Sequence, residues 1–313
     1  MKKPSILVVG CMNTDYTVYG TPRVARFGET LFCEGYAYTP GGKGANQAVA
    51  AAKLGADCTM AGRLGDDANG LTLIKNLERY GVDTLDIVID QELQTGMATI
   101  LVDRQTGNYV CYLVMGANNH LFPGQVELAI SRKSYDMVLM QLEMPLETVY
   151  STYELATARG IPVFLDAGPA MDIPLERLRG IFVISPNEVE TKALTGIDPC
   201  SSKNAISAAK RLFERVHPKY VLLKLGARGA LLFDGETPEL IPCFSEVSAI
   251  DTTAAGDTFG AAFAVQYCLG ANMRSAIRYA HAAAGLCVSR RGAQASIPGA
   301  AEVDVFLTAI DNT

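Results

Sequence analysis

Two hydrophobic periods alternate along this chain. Short unbroken apolar runs, bounded by turn residues, occupy positions 6–10, 58–61, 137–140, 163–165, 182–184 and 221–223. Runs of this length read as strands covered on both faces. Helical spacing fills the intervals. It covers 46–54, stopped by Gly55, and 70–80, which follows a candidate N-cap at Asp66-Asp67 and ends at Gly81. Further helical patterns span 146–159, 175–178, 188–194 and 205–216. Positions 255–289 read as two helices around Gly270-Ala271-Asn272, and a last helix lies near 302–310. Repeated strand–helix alternation predicts an α/β fold, with a central, mainly parallel sheet and helices on both faces.

Two places break the rhythm. Positions 30–39 alternate as a strand would, soon after the first apolar run. Positions 97–102 and 109–114 flank 103–108 as a hairpin with Gly107 in the turn. Together they predict a small extra sheet beside the main one. The chain has no long linker, repeat or low-complexity stretch, which points to one domain over 1–313.

Composition narrows the functional classes. With 313 residues, 49% hydrophobic and 19% charged, the chain can bury a large core. Lys and Arg number 27 against 33 Asp and Glu, a net charge of −6, which argues against a nucleic-acid partner held by a broad basic surface. A small anion stays possible, because one Lys and a few backbone amides can hold a phosphate. The first apolar run has five residues, where a signal peptide needs about 7–15 and a membrane span about 20. The eight cysteines are scattered without a C-x-x-C pair and only three histidines are present, so reduced thiols in a cytoplasmic protein are expected.

Three glycine-rich segments carry the candidate chemistry. Gly41-Gly42-Lys43-Gly44-Ala45-Asn46-Gln47 is not a P-loop, because Gly44 follows the Lys and Ala37 stands where the leading Gly belongs. It is not a dinucleotide fingerprint either, since Gln47 occupies the third Gly position. It reads as a tight turn into a helix whose amides, Lys43 and Asn46 suit a polyhydroxy ligand; a plain helix start is the alternative. In Asp251-Thr252-Thr253-Ala254-Ala255-Gly256-Asp257-Thr258-Phe259-Gly260, small residues lead into a long helix. The amides of Ala254, Ala255 and Gly256 can point at an anion there. Asp257 is either a first-turn acid favoured by the helix dipole or a carboxylate placed to take a proton from a hydroxyl beside that anion. Lys224-Leu225-Gly226-Ala227-Arg228-Gly229 reads as a hairpin turn.

These segments, with Met140-Gln141-Leu142-Glu143, Pro186-Asn187-Glu188-Val189-Glu190, His281-Ala282-Ala283-Ala284 and Gly292-Ala293-Gln294-Ala295-Ser296 in that order, resemble the ribokinase-like carbohydrate kinases over nearly the whole chain. The resemblance implies transfer of the γ-phosphate of ATP to a primary hydroxyl of a small sugar, D-ribose at O5 being the first expectation. It implies Asp257 as general base and an anion hole from Ala254, Ala255 and Gly256. The implied sugar site holds Asn13, Asp15, Gly41, Gly42, Lys43, Asn46 and Glu143. The implied nucleotide site holds Asn187, Lys224, Gly226, Arg228, Gly229, Gly256 and His281. Asn187 and Glu190, three apart and so expected on one helix face, would serve the water shell of Mg²⁺. A K⁺ site would use Asp251, Thr253, Cys287, Arg290, Gly292 and Ser296. The extra strands, about 14–40 and 96–115, would form a lid that excludes water from the sugar, and packing of two lids implies a homodimer.

Two positions depart from the family pattern. Lys224 replaces a small hydroxyl residue, where it can reach a phosphate or point into solvent. Asp166, in Asp166-Ala167-Gly168-Pro169-Ala170, replaces an Asn and reads as a loop cap or a charge near Mg²⁺ and phosphate. Deoxyribose, another pentose, a ketohexose or a nucleoside are alternative acceptors, although no Trp is present to line a base pocket. A non-catalytic sensor of sugar or nucleotide is a reading from another class, and intact Asp257, Asn187 and Glu190 speak against it. A Rossmann dehydrogenase fits poorly, given the broken fingerprint.

Overall fold

The computed structural model describes residues 2–106 and 109–312, and Gly107 of the expected hairpin turn lies outside them. Strand β1 (Ser5–Val9) is apolar throughout and buried on both faces. Ile6 and Val8 join one hydrophobic cluster, while Leu7 and Val9 join another on the opposite side. This is the arrangement an unbroken apolar strand requires. Eight further strands complete the main sheet: β4 (Asp57–Gly65), β5 (Asp83–Asp90), β8 (Met137–Met140), β9 (Val163–Asp166), β10 (Val183–Ser185), β11 (Tyr220–Lys224), β12 (Ala230–Phe233) and β13 (Glu239–Ile241). Their order is β13-β12-β11-β10-β9-β8-β1-β4-β5. All neighbours are parallel except β11–β12 and β12–β13.

A second sheet, β3-β2-β6-β7, is built from β2 (Asn13–Thr21), β3 (Gly35–Gly41), β6 (Gly96–Asp103) and β7 (Tyr109–Val114). β2 and β6 are parallel, and the other pairs are antiparallel. The predicted strand at 30–39 is corrected here: no strand covers 30–34, and β3 runs from Gly35 to Gly41. β2 falls in the 14–40 span that the resemblance assigned to the lid, but periodicity did not mark it, because it opens Asn13-Thr14-Asp15, polar side chains that a binding cleft buries where an apolar core would otherwise supply the pattern.

The helices are α1 (Lys43–Lys53), α2 (Ala68–Arg79), α3 (Pro123–Arg132), α4 (Leu146–Ala158), α5 (Glu188–Thr195), α6 (Ser202–Val216), α7 (Ala255–Cys268), α8 (Met273–Val288) and α9 (Ala300–Asp311). β5 and α3 carried no clear sequence signal, and 175–178 forms a 3-10 turn. Helix α1 starts three residues earlier than its periodicity predicts, so Lys43 is its first residue. Its buried stripe is mostly Gly and Ala, and it packs on α7, which also buries Gly and Ala on its inner face. Small side chains let the two helix starts approach closely, over the carboxyl ends of the parallel strands, where open α/β sheets place ligands. No helix among the described residues is long and apolar enough to cross a membrane.

Phe164, on the strand that ends at Asp166, is fully buried and packs on Phe263 of α7 with ring centroids 5.6 Å apart. Phe164→Ala is expected to cost about 3–5 kcal/mol of stability, read as a lowered midpoint in urea denaturation.

Candidate active site

Gly41 and Gly42 bring the second sheet onto the first helix. Gly41 pairs with Asn13 across β2–β3, and a side chain at Gly41 would collide with the Asp15 carboxylate. Gly42 has φ 88°, and a Cβ there would lie 2.7 Å from the Asn13 amide nitrogen. Only glycine combines that backbone with that approach. The turn thus sets Asn13, Asp15 and Lys43 around one cleft.

Several polar groups in the cleft are oriented by one another. Asn13 donates to Glu143 Oε2 at 3.3 Å and accepts from Asn118 Nδ2 at 2.8 Å. The Cys11 thiol donates to the same Glu143 oxygen at 2.9 Å. Burial, followed by the negative charge of Glu143 and Asp257, pushes Asp15 up to about 7. On the far side, Asn46 Nδ2 donates to Asp257 Oδ2 at 2.8 Å, while Asn46 Oδ1 accepts from Gln294 Nε2 at 3.1 Å. Asn118, Cys11 and Gln294 were not among the expected site residues. Gln294 stood in a quoted motif, but nothing in the pattern singled out Asn118.

Asp257 is the third residue of α7 and is buried, with Oδ1 lacking a hydrogen-bond partner. The Lys43 ammonium lies 3.9 Å from that oxygen. Burial raises the Asp257 pKa above the usual carboxylate range, against the pull of Lys43 and Asn46. Burial also pulls Lys43 down, but Asp257, Asp166, Glu190 and Glu143 outweigh it and keep the ammonium charged. Residue Ala254 caps α7 with φ 61° and offers no side-chain bond. The first-turn amides of Gly256 and Asp257 therefore have no intrahelical acceptor. The Ala255 N–H donates to Thr252 O at 3.3 Å, closing the turn before the helix.

Asn187 and Glu190, expected on one helix face, meet at the start of α5. Asn187 is the N-cap of α5 and accepts from Glu190 N at 2.9 Å, while Glu190 Oε2 accepts from Asn187 N at 2.7 Å. This reciprocal box leaves Glu190 Oε1 beside Gly168 and Lys43. Gly226 and Gly229 hold the β11–β12 turn, and Arg228 is held by Glu188 Oε1 and Pro199 O, both at 2.7 Å. His281 is buried against Phe259 with Nδ1 unpartnered, and burial lowers it to about 4, so the ring is neutral.

The two departures from the family pattern are partners. Lys224 Nζ lies 2.6 Å from Asp166 Oδ1, so neither side chain is a loop cap or a solvent charge. The expected cation residues also converge. Asp251 Oδ1 accepts from Thr253 N and Oγ1, and Oδ2 accepts from Gly292 N at 2.9 Å. Cys287 Sγ lies 3.0 Å from Ser296 Oγ and 3.7 Å from Thr253 O, and the Arg290 N–H donates to Cys287 O. Among the described residues no cluster of three His, Cys, Asp or Glu forms a ready metal cage.

The raised Asp15 makes stability pH-dependent. The folded state holds this proton up to about pH 7, whereas an unfolded Asp releases it near pH 4, so stability falls across that window by about 1.4 kcal/mol per pH unit. Asp15→Asn removes the effect. Without ligand, its melting temperature relative to wild type should be higher at pH 8 than at pH 4.

With the geometry in place, comparisons with known proteins are specific. The family model described as pfkB family carbohydrate kinase matches residues 3–300. A ribokinase of Haemophilus influenzae is 37% identical over 308 residues, covering 97% of this chain and 99% of its own. A deoxyribokinase of Salmonella typhi is 33% identical over 307 residues, covering 97% and 98%. The solved structure of Arabidopsis thaliana ribokinase complexed with ribose and ATP superposes with a TM-score of 0.88 at 33% identity, covering 98% of this chain and 99% of that one. Such agreement along the full length, over a site whose polar residues interlock, establishes that this chain belongs to the pfkB family of carbohydrate kinases.

Proposed function

We propose that the protein transfers the γ-phosphate of ATP to the primary hydroxyl of a small sugar, with D-ribose the best-supported acceptor. The observation that carries this is Asp257: one oxygen is fixed by Asn46, and the other is buried, unpartnered and beside uncapped helix amides. A carboxylate so placed accepts a proton from an attacking hydroxyl while the amides and Lys43 stabilise charge on the phosphoryl group. Its raised pKa brings it nearer to that of the group it must deprotonate.

Asn13, Asp15, Glu143 and the Gly41–Lys43 turn supply donors and acceptors for the sugar hydroxyls. The ribokinase and deoxyribokinase relatives support a pentose, and deoxyribose is the second reading. Asn187, Gly226, Gly229 and the space near His281 serve the nucleotide. Arg228, tied to Glu188 and Pro199, shapes the turn it sits in.

Glu190 Oε1 and the Asn187 NH₂ remain free of the capping box, which fits contact with the hydration shell of Mg²⁺, an ion that keeps several waters. Bound Mg²⁺ would neutralise phosphate charge. The oxygens of Asp251, Thr253, Cys287, Arg290, Gly292 and Ser296 suit K⁺, and Asp251 already ties the loop before α7 to the 290–296 loop. The second sheet acts as a lid, and β7 is exposed along its length while Tyr36 and Tyr38 are exposed on β3. This supports a homodimer through the lids.

The direct experiment is ADP formation from ATP and Mg²⁺ across a sugar panel, with and without K⁺. Ribose-dependent turnover increased by K⁺ is expected. Turnover with deoxyribose alone moves the assignment to the second reading, and no turnover with any sugar refutes it. Asp257→Asn should lower kcat by about 10³-fold or more with ATP binding retained, measured by coupled assay and calorimetry.

A further inference from the structure

Among the described residues no ion pair lies deeper than Lys224–Asp166. Asp166 ends β9 and is wholly buried, and Lys224 ends β11 with its side chain 12% exposed. Burial alone would raise the Asp166 pKa, but Lys224 and then Lys43 overcome this and hold the carboxylate ionised. Its second oxygen accepts from Gln47 Nε2 at 3.2 Å, and Gln47 Oε1 accepts from Gln141 Nε2 at 2.7 Å. The carboxylate is therefore fixed on both sides. Asp166 is the one hydrogen-bond acceptor of the Lys224 ammonium among the described residues, at 2.6 Å, which leaves two of its three N–H bonds.

Those bonds have a destination. A Cβ on Gly256, the second residue of α7, would lie 3.3 Å from Lys224 Nζ. The ammonium thus stands over the uncapped helix start, next to the residue whose buried Oδ1 has no hydrogen-bond partner. A buried ion pair is poor stabilisation, since desolvation offsets the attraction and an apolar pair would serve the core as well. Retaining one here, aimed at amides that can hold an anion, calls for a chemical role.

We infer that Lys224 contacts the outermost phosphate of the bound nucleotide and stabilises the charge on it during transfer, and that Asp166 is the positioning residue that holds the ammonium in place. This rests on the kinase reading above and adds a second fixed cation, besides Lys43, to the phosphoryl site. Lys224 binds and orients, and it exchanges no proton.

The test compares Lys224→Met, Lys224→Arg, Asp166→Asn and the paired Asp166→Asn/Lys224→Met variant, in which no buried charge is left alone. Sugar-dependent kcat and KM, melting temperature and calorimetric titrations with ADP and a non-hydrolysable ATP analogue are measured for each. Lys224→Met and the paired variant should lose about 10²-fold in kcat, with the sugar KM within threefold. They should lose at least tenfold more affinity for the ATP analogue than for ADP. Asp166→Asn keeps the cation but frees it to swing, so it should lose about tenfold in kcat, and Lys224→Arg should recover most of what Lys224→Met loses. If Lys224→Met does not fold, the paired variant decides. A paired variant with wild-type kcat and an unchanged ATP-to-ADP affinity ratio overturns the inference and leaves only a structural pair. The titrations need no turnover. Wild-type protein that binds neither nucleotide refutes the kinase reading itself, whereas nucleotide binding that the variants leave unchanged refutes this inference alone.

Discussion

Charge balance at the carboxyl ends of the parallel strands is the constraint on which the site depends. Asp166, Glu190 and Asp257 are all buried, and Lys43 and Lys224 are the cations among them. Carboxylates cannot lie this close in a poorly solvated space unless cations and amide donors compensate them. The compensation here is partial. Asp166 is held below the usual range by two lysines, whereas Asp257 and Glu190 are pushed above it. A negatively charged ligand with its counter-cation would redistribute this balance, so the unliganded site is electrostatically prepared for one.

That balance depends on backbone geometry contributed from far apart in the chain. Asn46 and Asp257 are 211 residues apart and meet because two helix starts lined with Gly and Ala pack closely. Gln294 then fixes the Asn46 amide from a third segment. On the other side of the cleft, Glu143 is shared by Asn13 and Cys11, so the segment after β8, the segment after β1 and the base of the second sheet are joined at one carboxylate. The core below keeps these ends in register. Phe164 and Phe263 pack beneath Asp166 and Asp257, two positions before one and six after the other.

Much of this was legible in the residues. Strands at 137–140 and 163–165 stand out because a strand buried on both faces must be apolar at every position, and the second extends one residue further, to the buried Asp166. The starts of α1 and α7 stand out because glycines and small residues before a helix have few other uses. What stayed hidden has a common cause. β2 opens with polar residues because it faces a cleft, β5 lies at a sheet edge, and Asn118 is recruited only by the folded backbone of Met12. Asn187 and Glu190, three apart, bond to each other as a capping box, a detail set by the first of them lying just outside the helix.

The sequence by itself determined the α/β alternation, the two glycine-rich helix starts and the presence of Asp257, Lys43 and Asn46, since each is written in local composition. Tertiary structure alone decided which charges face each other. Asp166 and Lys224 sit 58 residues apart, at the ends of strands separated by β10, and only the strand order brings them to 2.6 Å. The turn before α7 closes on itself through Ala255 N–H and Thr252 O, a contact between residues whose local composition does not announce it. Local pattern fixes which groups a chain carries; long-range packing and the cost of burying unpaired charge fix which of them meet.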